Sequence, residues 1–199
     1  DNKCWFNFSN NVWKGDSIMG ITLDATNEGS ATATNTLTVA LTVSSNANKL
    51  IVQVDNSADS QFNLTPATIK YNGVDLTQVV LVYNSTNQLL STIWYLDNPS
   101  SGNNNCVMTL PATVPDVRIL SMAVTSLFGA KLGDLEDSQS YQADGVVDST
   151  LNFTSTQGAW LFDAINVFSV VFLTNGVDQI VNLNQNTSFH QGSYKSNVT

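Results

Sequence analysis

The chain has 199 residues, of which 16 are Asp or Glu and 7 are Lys or Arg, giving a formal net charge of −9. Its few basic residues are scattered, which excludes nucleic acid as a partner, because neutralising phosphates requires clustered Lys and Arg. The length suffices for one large domain with its own core, without metal or dense disulfides, and the longest apolar run, VFSVVFL at 167–173, is too short to span a membrane.

Only 12% of residues are charged, while Ser, Thr and Asn together supply about a third of the chain. Polarity without charge suits an extracellular, cell-surface protein. The chain starts at Asp1 without a methionine, as a mature secreted protein does.

Residues 1–16, DNKCWFNFSNNVWKGD, hold two of the four tryptophans. In an extended strand Cys4, Phe6 and Phe8 share one face and Trp5, Asn7 and Ser9 the other, with Val12 and Trp13 following. Burying such side chains stabilises by roughly 1.5–3 kcal/mol each, so this arm is expected to be buried against something. We divide the chain into this arm, residues 1–16, and a single domain, residues 17–199.

From Ser17 the pattern is period two, broken by turn residues, and no helical periodicity extends over ten residues. Met19, Ile21 and Leu23 form a first strand, with a polar loop from Ala25. Leu37, Val39, Leu41 and Val43 alternate with Thr36, Thr38, Ala40 and Thr42, which predicts a half-buried strand. Leu50 to Val54 follows. Asn72-Gly73 predicts a tight hairpin between a strand carrying Ile69 and Tyr71 and a partner running from Val74 to Tyr83. Another turn, 84–87, leads into a strand from Leu89 to Leu96. The run from Asn98 to Asn105 reads as a loop. Strands then carry Cys106, Met108 and Leu110, and Arg118 to Leu127. A long surface loop is expected from Phe128 to Asp148, followed by strands at Trp160 to Val167 and 168–173, with Ile180, Val181 and Leu183 the last apolar positions. Some ten short strands imply an all-β fold, an antiparallel β-sandwich of immunoglobulin-like or jelly-roll type with an extended N-terminal arm.

Cys4 and Cys106 fit neither a CxxC redox pair nor a zinc site. Outside the cell they are expected to form a disulfide, within one chain or between two; two separate buried thiols are the alternative. His190 is the only histidine, and no GxSxG element accompanies it, so no catalytic residues are assigned and the protein is expected not to be an enzyme. Asp and Glu gather at 134–137, Asp144 and Asp148 without calcium-loop spacing, so no metal or other cofactor is expected. Candidate N-glycosylation sites are Asn7, Asn63, Asn84, Asn152, Asn186 and Asn197, each in an N-x-S/T sequon. Trp94 and Trp160 fall in strands and are expected in the core, although exposed aromatics could stack on sugars.

The runs IKYNGVDLTQV at 69–79, IWYLDNPSSG at 93–102, VMTLPA at 107–112 and RILSMAVTSLFG at 118–129 resemble a β-sandwich module of bacterial and archaeal secreted proteins and some phage structural proteins. GAWLFDAINV at 158–167 and VDQIVNLNQN at 177–186 extend the resemblance over roughly residues 17–195. It implies a structural or adhesive unit without a reaction. In such modules a stretch like SYKSN at 193–197 is usually followed by one or two closing strands, which this chain lacks. The resemblance therefore implies an open groove, filled by the N-terminal arm of a neighbouring copy as in pilus-type and archaeal thread-like filaments. On that reading Trp5, Phe6, Phe8, Val12 and Trp13 form the subunit interface of a head-to-tail homopolymer. The alternatives are a monomeric carbohydrate-binding or adhesive module with its arm paired in its own chain, and a virion structural protein.

Overall fold

The structure, a computed structural model, describes residues 2–8, 21–58, 64–86, 88–111, 117–130, 137–142, 159–166, 180–185 and 190–198. Among them are fourteen strands and no helix. In chain order these are β1 (Asn2–Phe8), β2 (Thr22–Ala31), β3 (Thr36–Val43), β4 (Lys49–Ala58), β5 (Thr68–Tyr71), β6 (Val74–Asp75) and β7 (Thr77–Asn84). They continue with β8 (Leu89–Asp97), β9 (Gly102–Thr109), β10 (Val117–Phe128), β11 (Asp137–Gln142), β12 (Ala159–Asn166), β13 (Ile180–Gln185) and β14 (His190–Val198). They build three antiparallel sheets: a central sheet β2-β10-β4-β8-β7, a front sheet β3-β9-β5-β6 and a rear sheet β11-β1-β12-β14-β13.

The alternation predicted for residues 36–43 is present: Leu37, Val39, Leu41 and Val43 are buried, and Thr36, Thr38, Ala40 and Thr42 are exposed. Their inner row packs on Leu50, Val52 and Val54 of β4 and on Leu120, Met122 and Val124 of β10, the main core between front and central sheets. Gly29 of β2 lies against this layer: a Cβ there would stand 2.8 Å from Val39 Cγ2, so only glycine allows the approach without a shift. The Asn72-Gly73 hairpin also forms. Both residues have positive φ, 47° and 80°, as a type I′ turn requires.

Five expectations about the elements are corrected. The sandwich has a third layer: every residue of β4 is buried, because Leu50, Val52 and Val54 face the front sheet while Ile51 faces Trp160 and Phe162 of the rear sheet. The polar stretch after Ala25 is strand, since β10 supplies a ladder as far as Ala31. Val74 to Tyr83 is not one strand. Val74 and Asp75 pair with β5, and from Thr77 the chain crosses to the central sheet, leaving Leu76 N–H bonded to the Ile69 carbonyl at 2.9 Å. The loop after Asn98 ends at Gly102 (φ 93°), because β3 pairs with Gly102 to Asn105. Within the expected loop 128–148 lies β11, whose polar sequence DSQSYQ gives no apolar alternation to detect. The strand expected at 168–173 lies outside the described residues.

Candidate functional site: the slot of the first strand

β1 is an interior strand of the rear sheet, antiparallel to β11 on one side and to β12 on the other. Both neighbours belong to its own chain. The register sets Cys4 opposite Ala164, Phe6 opposite Phe162 and Phe8 opposite Trp160. Directly opposed residues of an antiparallel pair share a face. Ala164, Phe162 and Trp160 are buried against the central sheet, so positions 4, 6 and 8 belong to the inward row. Positions 5 and 7, opposite Asp163 and Leu161, belong to the other face.

Without β1, β12 would present an unpaired edge and β11 would lose its link to the rest of the sheet. Unpaired main-chain N–H and C=O groups at such an edge seek a strand. The slot also lies directly over the central sheet, with β1 crossing β7 and β8, and β12 crossing β4 and β8.

Beneath the rear sheet the central sheet is partly polar. Gln53 Nε2 donates to the Asp163 carbonyl, tying β4 to β12. Two residues along β4, Asp55 is fully buried, with Ser121 of β10 and Ser91 of β8 as its register partners. Ser91 Oγ donates to Asp55 Oδ1 at 2.6 Å, whereas among the described residues Asp55 Oδ2 and the Ser121 hydroxyl have no hydrogen-bond partner. Burial pushes the Asp55 carboxyl well above the usual carboxylate range; the Ser91 hydrogen bond opposes this and the charge of buried Asp163 adds to it. At the end of the same face, buried Lys49 forms an ion pair with Asp97, and its ammonium stands 4.7 Å from the centre of the Tyr95 ring.

The expected disulfide is a further correction. Cys106 carries a free thiol, fully buried in the core between front and central sheets. Its Sγ lies 3.9 Å from Met122 Sδ, and burial raises its pKa to about 12. Cys4 sits in β1 of the rear sheet, on the opposite side of the central sheet, so the two cannot approach without dismantling that sheet. Asn84 is corrected as a glycosylation site: its side chain is fully buried, and Oδ1 accepts the Thr86 N–H at 3.0 Å. Asn63, Asn152 and Asn186 lie outside the described residues, as do Val12, Trp13, Asp144 and Asp148. Asn7 and Asn197 lie in β1 and β14, and His190 opens β14; their side chains are outside the described set. Trp94 and Trp160 are buried as expected, at 8% and 5% exposure, so neither offers a face to a sugar.

Sequence reasoning missed Asp55, Gln53, Ser91 and Ser121. The usable signal was the continuation of period two beyond Val54, with polar residues taking the place of apolar ones. Among the described residues no group of three His, Cys, Asp or Glu side chains converges, and no helix is long and apolar enough to cross a membrane. Comparison with protein families, curated proteins and solved structures finds no match to this chain.

Proposed function

We propose that the protein is a structural subunit of an extracellular assembly, in which β1 of one copy occupies the slot between β11 and β12 of the next. The observation that carries this is the place of β1: the strand that leads the chain is held in the interior of a sheet built otherwise from residues 137–198. A strand that completes its own sheet completes the sheet of an identical neighbour with the same hydrogen bonds and the same inward row, so exchange changes no contact type. Repeated head to tail, the exchange does not close and yields a filament. Trp5, Phe6 and Phe8 would be its donor residues, joined by Val12 and Trp13 in the connecting segment. The immunoglobulin-like or jelly-roll character, the secretion and the glycans belong to this same proposal, resting on the sequence resemblance and the uncharged polar composition.

The test is electron microscopy and size-exclusion chromatography of intact protein beside a variant lacking residues 1–13. Filaments from the intact chain, loss of filaments on truncation, and capture of an added peptide of residues 1–13 by the truncated protein are the expected results. A second reading, a monomeric adhesive or carbohydrate-binding module, draws on the pairing of β1 within its own chain. It predicts a compact monomer at every concentration and a signal on a glycan array.

A further inference from the structure

We infer that Asp55 is a proton latch between the central and rear sheets: in its neutral form the two layers close, and its ionisation loosens the rear sheet. This goes beyond strand exchange and does not depend on it. The geometry has three parts. Asp55 sits in the middle of β4, an inner strand of the central sheet, on the face that Ile51 and Gln53 turn to the rear sheet. The row crossing it, Ser121–Asp55–Ser91, offers one hydrogen bond, from Ser91, and among the described residues leaves Oδ2 with no donor. A buried carboxylate needs two or three donors or a cation to hold its charge, and one hydroxyl does not suffice.

The third part is what faces Asp55 from the neighbouring elements. Among the described residues, β8 and β10 present the non-ionising Ser91 and Ser121. Among the described side chains of the rear sheet, the charged group acting on it is Asp163 of β12, 1% exposed and of the same sign; β14 also packs on β4 and carries His190, whose side chain is outside the described set. Lys49, on the same face, is six residues away along β4 and already bound to Asp97. Ionisation of Asp55 therefore places a negative charge at the interface between the layers, where among the described residues its carboxylate finds one donor, and where Asp163, on the other face of β12, repels it. The front and central sheets share a separate apolar core and are not strained by it. The sign follows from linkage. Folded Asp55 keeps its proton to higher pH than an unfolded aspartate, so this contribution to closure is present in acid and is lost as pH rises through the folded value.

The experiment is hydrogen–deuterium exchange on the intact, dilute protein at about pH 5 and about pH 9, corrected for intrinsic exchange rates. The expected result is a loss of protection of about tenfold or more in β12 and β14 at the higher pH, with β3 and β9 unchanged, and abolition of that loss in Asp55→Asn. Unchanged protection of β12 and β14 in the natural protein, an equal loss in β3 and β9, or an equal loss in Asp55→Asn would each overturn the latch. Should Asp55→Asn fail to fold, carboxyl carbon-13 NMR titration of the natural protein decides. A midpoint above the ordinary aspartate range supports the latch, and one at or below it refutes it. Since the readout uses isolated chains, it can fail while filaments form, and filaments can fail to form while it succeeds.

Discussion

The two faces of the central sheet are built from the same strands and are chemically unlike. Toward the front sheet, β4, β8 and β10 present Leu50, Val52, Leu90, Leu120 and Met122, a largely apolar core in which Asn56 donates to the Leu64 carbonyl. Toward the rear sheet the same strands present Lys49, Gln53, Asp55, Ser91 and Ser121 among Ile51, Ile93 and Leu127. Both faces are buried, so the difference is not one of solvent. The apolar face gains from burial alone, roughly 25 cal/mol per Å² of apolar area, while the mixed face must satisfy each polar group it covers. The front and central sheets thus share the larger apolar core, whereas the rear sheet, which holds β1, is packed over buried polar and charged groups as well as apolar ones.

Neighbouring residues of β4 give the strongest test. Leu50 and Ile51 are both fully buried and point to opposite layers. Leu50→Ala is expected to cost about 2–5 kcal/mol in the global unfolding transition measured by denaturant titration. Ile51→Ala is expected to show its loss first as proteolytic or exchange opening of the rear sheet. Equal global losses for the two would erase the distinction drawn here.

Next in size, Asp97→Ala removes the carboxylate beside the buried Lys49 ammonium and is expected to cost about 3 kcal/mol, while the double variant with Lys49→Met recovers most of it. Thermal denaturation of the two variants reads this directly.

Smaller effects lie away from the mixed face. Gly73→Ala forces a side chain into the left-handed region at φ 80° and is expected to cost about 1 kcal/mol at any pH, because nothing titratable is lost. Asp24 gives the opposite pH sense to Asp55. Burial raises its pKa, but hydrogen bonds from Ser44 and Ser126 outweigh burial and lower it overall. Its stabilisation is therefore present above the ordinary carboxylate range and lost as pH falls through the folded value. Asp24→Asn is expected to cost about 0.5 kcal/mol near neutrality and nothing in strong acid, measured as a difference between two denaturation curves.

What could be read from the sequence follows the same division. Residues 36–43 were legible because one face meets the core and the other meets water, which writes burial as alternation. β4 was read only as far as Val54, because Gln53, Asp55, Asn56 and Ser57 suggest exposure, yet the rear layer lies over Gln53 and Asp55, and Asn56 is buried on the front side against Leu64 and Met108. DSQSYQ falls in the expected loop and HQGSYKSNV beyond the last apolar positions for a related reason: their place in the rear sheet is set by β1, β12 and β13, which no local pattern announces. For the slot, the strand character and two-faced pattern of residues 4–8 were visible, but the partners were not. Trp5 pairs with Gln139 and Asp163, separations at which propensity carries no signal. The disulfide inference failed because counting cysteines takes no account of a sheet standing between them.

The order of the strands also has a consequence in time. β1 precedes the other strands among the described residues, yet its ladders are with residues 137–142 and 160–166. At about 5–20 residues per second of synthesis, the partners of β1 follow it by on the order of ten seconds. In that interval the segment 21–130 contains all the strands of the front and central sheets and can close its own core. β1 is thus made well before the strands it pairs with. On the proposed exchange, any slot open to β1 before β12 is made belongs to an older chain.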